Sequence, residues 1–153
     1  MASNPQLLTD IRLQLLHKEL RPVYQAATDQ RRVPNNPDPL ADLGIVSGLD
    51  NLGQAILIRL LTPKGELAAL AHPEYGSRLN ELIGSGNTAT TRNLAKLYIL
   101  ESLKLEPRIQ KVVQVVVTPA LGTRDTIDIS LAVLPVGTTR VVRIGPFTLE
   151  LAL

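Results

Sequence analysis

The sequence contains no cysteine and no tryptophan, and aromatic residues make up only 3% of its 153 positions. Without cysteine there is no thiol nucleophile, no disulfide and no cysteine-ligated zinc, and the chain is compatible with synthesis in a reducing cytoplasm. Two histidines, His17 and His72, are far apart and form no H-x-x-x-H pair, so any metal site would rest on carboxylates alone, and no cofactor is expected. The scarcity of aromatic rings argues against base stacking, and a formal charge of +2 creates no strong field, so nucleic acid is not an expected partner. No apolar run approaches the roughly 18 residues of a membrane span, and the first residues lack the basic and apolar regions of a signal peptide.

What the chain does have is 44% hydrophobic and 20% charged residues, an ordinary globular balance. Its length fits one domain. The expected class is α+β: helices first, a mostly antiparallel sheet last, preceded by an N-terminal helical arm. Asn4-Pro5 with Leu7, Leu8, Ile11, Leu15 and Leu16 at helical spacing predicts a helix over 5–20. Three prolines between Val33 and Pro39 read as a tether. These divide the chain into an arm and tether over 1–41 and a body over 42–153.

In the body, Ser47-Gly48-Leu49-Asp50 has the S-x-x-D capping pattern, and Leu49, Leu52, Ile56 and Leu60 recur on one face before Thr62-Pro63-Lys64-Gly65 ends the helix. Residues 66–75 suggest a short strand or hairpin, and 77–83 a brief helix. Asn87 or Thr88 caps a long helix running to Leu105, whose apolar residues wrap beyond one stripe, so more than one element should pack on it. The valine-rich run 109–118 reads as a strand at the heart of the sheet. Strict alternation puts Ile109, Val113, Val115 and Val117 on one face, with Val112 and Val116 on the other. Strands over 127–134 and 139–144 follow, and Gly145-Pro146 should break the last of these from Phe147–Leu153.

Catalytic candidates are thin. Glu66, His72 and Glu74 lie close in sequence and offer two carboxylates for acid and base work, but isolated acids on a surface turn are usually solvated. Gly84-Ser85-Gly86 is neither a nucleophile elbow nor a phosphate loop. Glu106-Pro107-Arg108 is sharper. In extended chain, residues two apart share a side, so acid and guanidinium should project together from a rigid helix-to-strand junction. A carboxylate at a helix C-terminus faces an unfavourable dipole unless a cation answers it, so the motif reads equally as a local staple or a docking site. At the other end Phe147, Leu149, Leu151 and Leu153 alternate with smaller or polar residues. That strand either closes the domain's own sheet or offers an edge where other strands add.

Three stretches in order, Asp50–Glu66, His72–Leu79 and Leu105–Ile109 with its E-P-R motif, resemble the contractile-tail baseplate wedge family, the sheath-initiator subunits of contractile phages, extracellular injection systems and type VI secretion baseplates. The resemblance covers about Asp42 to Thr118 and leaves the arm unaccounted for. It implies a structural, non-enzymatic subunit in which Glu106, Pro107 and Arg108 dock on the wedge core. It further implies sheath initiation by strand exchange, for which Phe147, Leu149, Leu151 and Leu153 are the candidates here. Expected partners are baseplate wedge proteins and sheath protein, with tube or hub proteins nearby, in a ring of six-fold symmetry. The expected location is the baseplate of a phage tail or injection particle assembled in a bacterial cytoplasm. Some members were labelled lysozyme-like, so the competing expectation is a peptidoglycan-cleaving baseplate enzyme. A free-standing regulatory binding module is a third.

Overall fold

Two helices and a three-stranded antiparallel sheet make the α+β body, and a set of short strand pairs precedes it. The computed structural model describes residues 7–15, 24–31 and 40–152. Helix α1 (Gly48–Leu61) starts where the S-x-x-D pattern places it, with Ser47 extended at the N-cap, although the Ser47 side chain makes no capping hydrogen bond. Helix α2 (Ala89–Lys104) is capped by Thr88, whose hydroxyl accepts from the Thr91 N–H at 3.1 Å. Between the helices, 66–75 forms turns and a 3-10 helix at Ala68–Leu70 where a strand or hairpin was expected, and Leu79–Leu82 is a second 3-10 helix.

Both helices lie against the sheet formed by β7 (Ile109–Pro119), β8 (Thr126–Pro135) and β9 (Val142–Glu150), in spatial order β7-β8-β9. The heart of the sheet is therefore β8, and the valine-rich β7 is an edge. Ile127, Ile129, Leu131 and Val133 of β8 are buried to 3% exposure or less, beneath Leu52, Ile56 and Leu60 of α1 and Ala95, Ile99 and Leu103 of α2. Burying one such side chain contributes about 1.5–3 kcal/mol, so this layer holds the body together.

Strict alternation fails on β7 because the strand carries two register shifts against β8, one between Ile109 and Lys111 and one between Val112 and Gln114. Each inserts an unpaired residue and reverses the phase. Ile109, Val112, Val115 and Val117 thus share the core side, and Val113 is 50% exposed. On β9 the expected break at Gly145-Pro146 is instead a bulge: Ile144 pairs with Leu131 and Phe147 with Ile129, so one strand continues through it. Gly145 has φ +95°, and a Cβ there would sit 2.6 Å from the Ile129 carbonyl oxygen, which leaves glycine as the fitting residue.

The helix expected over 5–20 is not formed in its described part. Thr9–Ile11 (β1) and Leu13–Leu15 (β2) are strands, and the partner of β1 lies far along the chain. β1 pairs with Ile45–Ser47 (β6), β2 with Tyr24–Ala26 (β3), and Thr28–Arg31 (β4) with Leu40–Leu43 (β5), all antiparallel. The tether expected over 33–39 lies outside the described residues, and β5 spans the boundary expected at 41/42.

The three pairs meet at a closed triangle of backbone hydrogen bonds: Arg12 N–H to the Gly44 carbonyl (2.7 Å), Gly44 N–H to the Ala27 carbonyl (2.7 Å), and Ala27 N–H to the Arg12 carbonyl (2.8 Å). Arg12 closes over this hub, donating to both Asp29 carboxylate oxygens and to the Ile45 carbonyl. The stem β1–β6 is fixed to α1 by the buried Asn51 amide, which donates to the Leu7 carbonyl at 3.0 Å. Gln54 adds to this by accepting from Leu13 N–H and donating to the Ile11 carbonyl. Two-stranded ribbons are marginal alone in water, so the hub and this helix contact supply what the ribbons lack.

Gly44 is the tight point, since a Cβ would lie 3.1 Å from the Ala27 carbonyl oxygen and 3.3 Å from Asp29 Oδ2. Gly44→Val should cost about 1–3 kcal/mol locally, which corresponds to amide exchange faster by about five-fold to a hundred-fold at Arg12, Ala27 and position 44. Exchange in α2 and β8 should not change. Unaltered exchange at the hub amides would show that the triangle does not hold the strand pairs together.

Candidate docking site

The junction after α2 is tight. The Leu105 N–H donates to the Ser102 carbonyl, Glu106 N–H to Leu103, and Ile109 N–H to Glu106, so Pro107 rides on a turn clamped at both ends. Pro107 is exposed, whereas the Glu106 side chain, only 4% exposed, turns inward. One carboxylate oxygen, Oε1, accepts from Arg108 Nε at 2.6 Å, and the other, Oε2, lies 3.2 Å from Arg59 Nη2 on the last turn of α1. The expected Glu106–Arg108 pairing is present, and Arg59 completes it from the far side.

Arg59 answers the dipole problem twice over. It places a cation at the C-terminal end of α1, where the helix favours one, and beside a carboxylate that the end of α2 disfavours. Its guanidinium carbon sits 4.4 Å from the centre of the Tyr75 ring, in cation–π range. Its Nε is buried with no hydrogen-bond partner. Burial pushes the Glu106 carboxyl up, but the Arg108 hydrogen bond and the charges of Arg108 and Arg59 outweigh it and hold the group below its ordinary range. Hydrogen bonding to Glu106 in turn raises Arg108, with a smaller contribution from the charge of Asp10 on β1.

Two cations around one carboxylate leave the cluster with an excess positive charge, and Arg108 is its most accessible member at 20% side-chain exposure. On the Arg59 side of the cluster opens a cleft of about 390 Å³ lined by Arg59, His72, Pro73, Glu74, Tyr75 and Leu105. Sequence reasoning missed Arg59, and the signal was available: it falls three residues after Ile56 and seven after Leu52, a charge on the apolar face of α1.

The other candidates separate. His72 and Glu74 line the cleft, where Glu74 pairs with Lys64 at 3.1 Å, while Glu66 is exposed and makes no ion pair among the described residues. No three potential metal ligands cluster among the described residues. No described helix is long and apolar enough to cross a membrane.

No family model matches the chain, and no curated protein matches it.

At the other end, Leu149 and Leu151 are fully buried, and Phe147 is half-buried against the core; Leu153 lies outside the described residues. Strand β9 thus closes the domain's own sheet through its side chains. Its outer flank pairs with no other strand among the described residues, and the same holds for β7.

Proposed function

We propose that the chain is a structural subunit of a contractile injection baseplate that docks on wedge proteins through the Glu106–Arg108 junction and offers a sheet edge to the first sheath ring. The observation that carries the reading is the buried carboxylate held between two arginines. Glu106 is spent on fixing Arg108, so Pro107 and Arg108 are presented from a rigid turn where two arginines share one ion-paired carboxylate and Asp10 acts on Arg108 only through its charge. A partner carboxylate brought to Arg108 would complete the balance. Strand addition at the outer flank of β9 or β7 would supply the sheath contact through backbone hydrogen bonds. In this reading the protein has no catalytic role, and its place is the baseplate ring with wedge, sheath and tube or hub proteins.

Arg108→Ala tests the docking arm. Glu106 keeps Arg59 in that variant, so the isolated subunit should lose only about 1 kcal/mol, whereas losing one partner of a buried interfacial pair costs about 2–5 kcal/mol of binding. Binding to baseplate wedge proteins should therefore fall by at least about thirty-fold in affinity, at about 2 kcal/mol. Wild-type binding by a folded Arg108→Ala subunit would remove the motif from the interface. Lysis of purified cell walls by the wild type, lost in Glu74→Gln, would favour the enzyme instead.

A further inference from the structure

Among the described residues two aliphatic surfaces of one chain stand exposed, and their flanking charges are opposite. The first surrounds the three-way hub, where Ile11 and Ile45 stand directly opposite each other on the stem at 43% and 61% exposure, with Leu43 at 53%. Asp10 and Asp42 flank it; each carboxylate accepts a neighbouring backbone N–H and forms no ion pair among the described residues, while the charge of Asp10 also acts on Arg108. The second is the outward side of α2, where Leu94, Leu97 and Leu100 are 37%, 56% and 44% exposed on the side turned away from the buried Ala95, Ile99 and Leu103. Lys96 and Lys104 border it and form no ion pair among the described residues. Isolated exposed leucines are ordinary, but three stand on this helix side, interrupted by Asn93 and by Glu101, which is paired with Lys64, and the two lysines beside them are unpaired among the described residues.

Within one chain the two surfaces belong to different packing contacts, because α1 packs on β1 and β6 and separately on α2, although the charge of Asp10 reaches Arg108 just past α2. We infer that they meet between copies: the strand-pair module of one subunit seats its Ile11–Leu43–Ile45 surface on the α2 leucines of the next, with Asp10 and Asp42 facing Lys96 and Lys104. A contact between two different patches is heterologous, so an open series keeps one free surface of each kind, one at each end, and either closes into a ring or runs on as a filament. This also gives the module a task for which its weak internal burial suits it. It is stabilised by a neighbour as well as by its own hub. The inference does not depend on the baseplate reading, since it concerns the purified chain alone.

A complementary pair of variants tests it. Leu97→Asp spoils the helix surface and leaves the module surface intact, whereas Ile45→Asp does the reverse. Both positions are more than half exposed, so each variant should fold. In sedimentation velocity the wild type should associate with rising concentration, more weakly in high salt, and each variant alone should stay monomeric. Mixed together, the two variants should form a one-to-one dimer and nothing larger, because each contributes its one intact surface. Ile45→Thr, which suits a strand, repeats the test if aspartate frays the stem, as judged by amide exchange at the hub. A wild type that is monomeric at every concentration, a Leu97→Asp chain that still associates, or a mixture that stays monomeric would each overturn the proposal.

Discussion

Glu106→Ala should destabilise the isolated subunit by about 3 kcal/mol or more, because it strands two guanidinium groups around an empty site. Arg59 has a side-chain exposure of 10% and cannot turn to water without disrupting its contact with Tyr75, and its Nε already lacks a partner. For a chain of this size the loss corresponds to a fall in Tm of about 6–12 °C. Arg108→Ala is the control, since it leaves Arg59 and Glu106 paired and should cost clearly less. A milder effect of Glu106→Ala than of Arg108→Ala in urea unfolding would show that the carboxylate does not hold the junction. The pH dependence carries a sign. Glu106 has its folded pKa depressed, so its contribution is complete above the unfolded value of about 4.3 and is lost as pH falls through the folded one. The stability gap between wild type and Glu106→Gln should therefore be widest above about pH 5 and narrow on acidification below the ordinary glutamate pKa.

Local chemistry explains which parts of this fold the sequence reveals. The two body helices announce themselves because their signals are short-range: Thr88 three residues before Thr91, Leu52-Ile56-Leu60 on one face, and Pro107 two residues after Leu105. The α+β class and the Glu106–Arg108 pairing follow from the same kind of evidence. What the sequence hides is non-local. Leu7, Leu8, Ile11 and Leu15 satisfy a helical spacing, but β1 takes its partner from Ile45–Ser47, more than thirty positions away, and pairing there overrides the spacing. The bulges on β7 and β9 hide for a related reason. A one-residue insertion reverses the phase of alternation, and whether it occurs is decided by the partner strand β8, which places Val112 inside and Val113 outside. Arg59, the site residue that sequence reasoning missed, was legible in principle as a charge on an apolar stripe whose counter-ion lies 47 positions ahead.

Removing residues 147–153, or placing proline at Leu149, should abolish cooperative unfolding of the subunit altogether. Leu149 pairs with Ile127 and both are fully buried, while Leu151 is stitched in on two sides, its N–H donating to the Asp125 carbonyl and its own carbonyl accepting from Gly84 N–H. Leu149→Ala alone should cost about 2–5 kcal/mol through the cavity it leaves, and truncation removes Leu149, Leu151 and the half-buried Phe147 together. A change of that size approaches the whole stability of an ordinary domain, about 5–15 kcal/mol. Wedge docking and sheath initiation should accordingly be lost together in the truncated subunit, because the junction at Glu106 needs a folded sheet to hold β7. This sets how the proposed strand exchange has to be examined. The side chains of β9 serve the subunit's own core, so only its outer backbone flank is available to a sheath strand, and failure of sheath growth speaks for that flank only where the subunit still melts cooperatively. A subunit lacking 147–153 that unfolds in one sharp transition and still binds wedge proteins, yet starts no sheath, would reverse the assignment and show that this strand serves its neighbour before it serves its own fold.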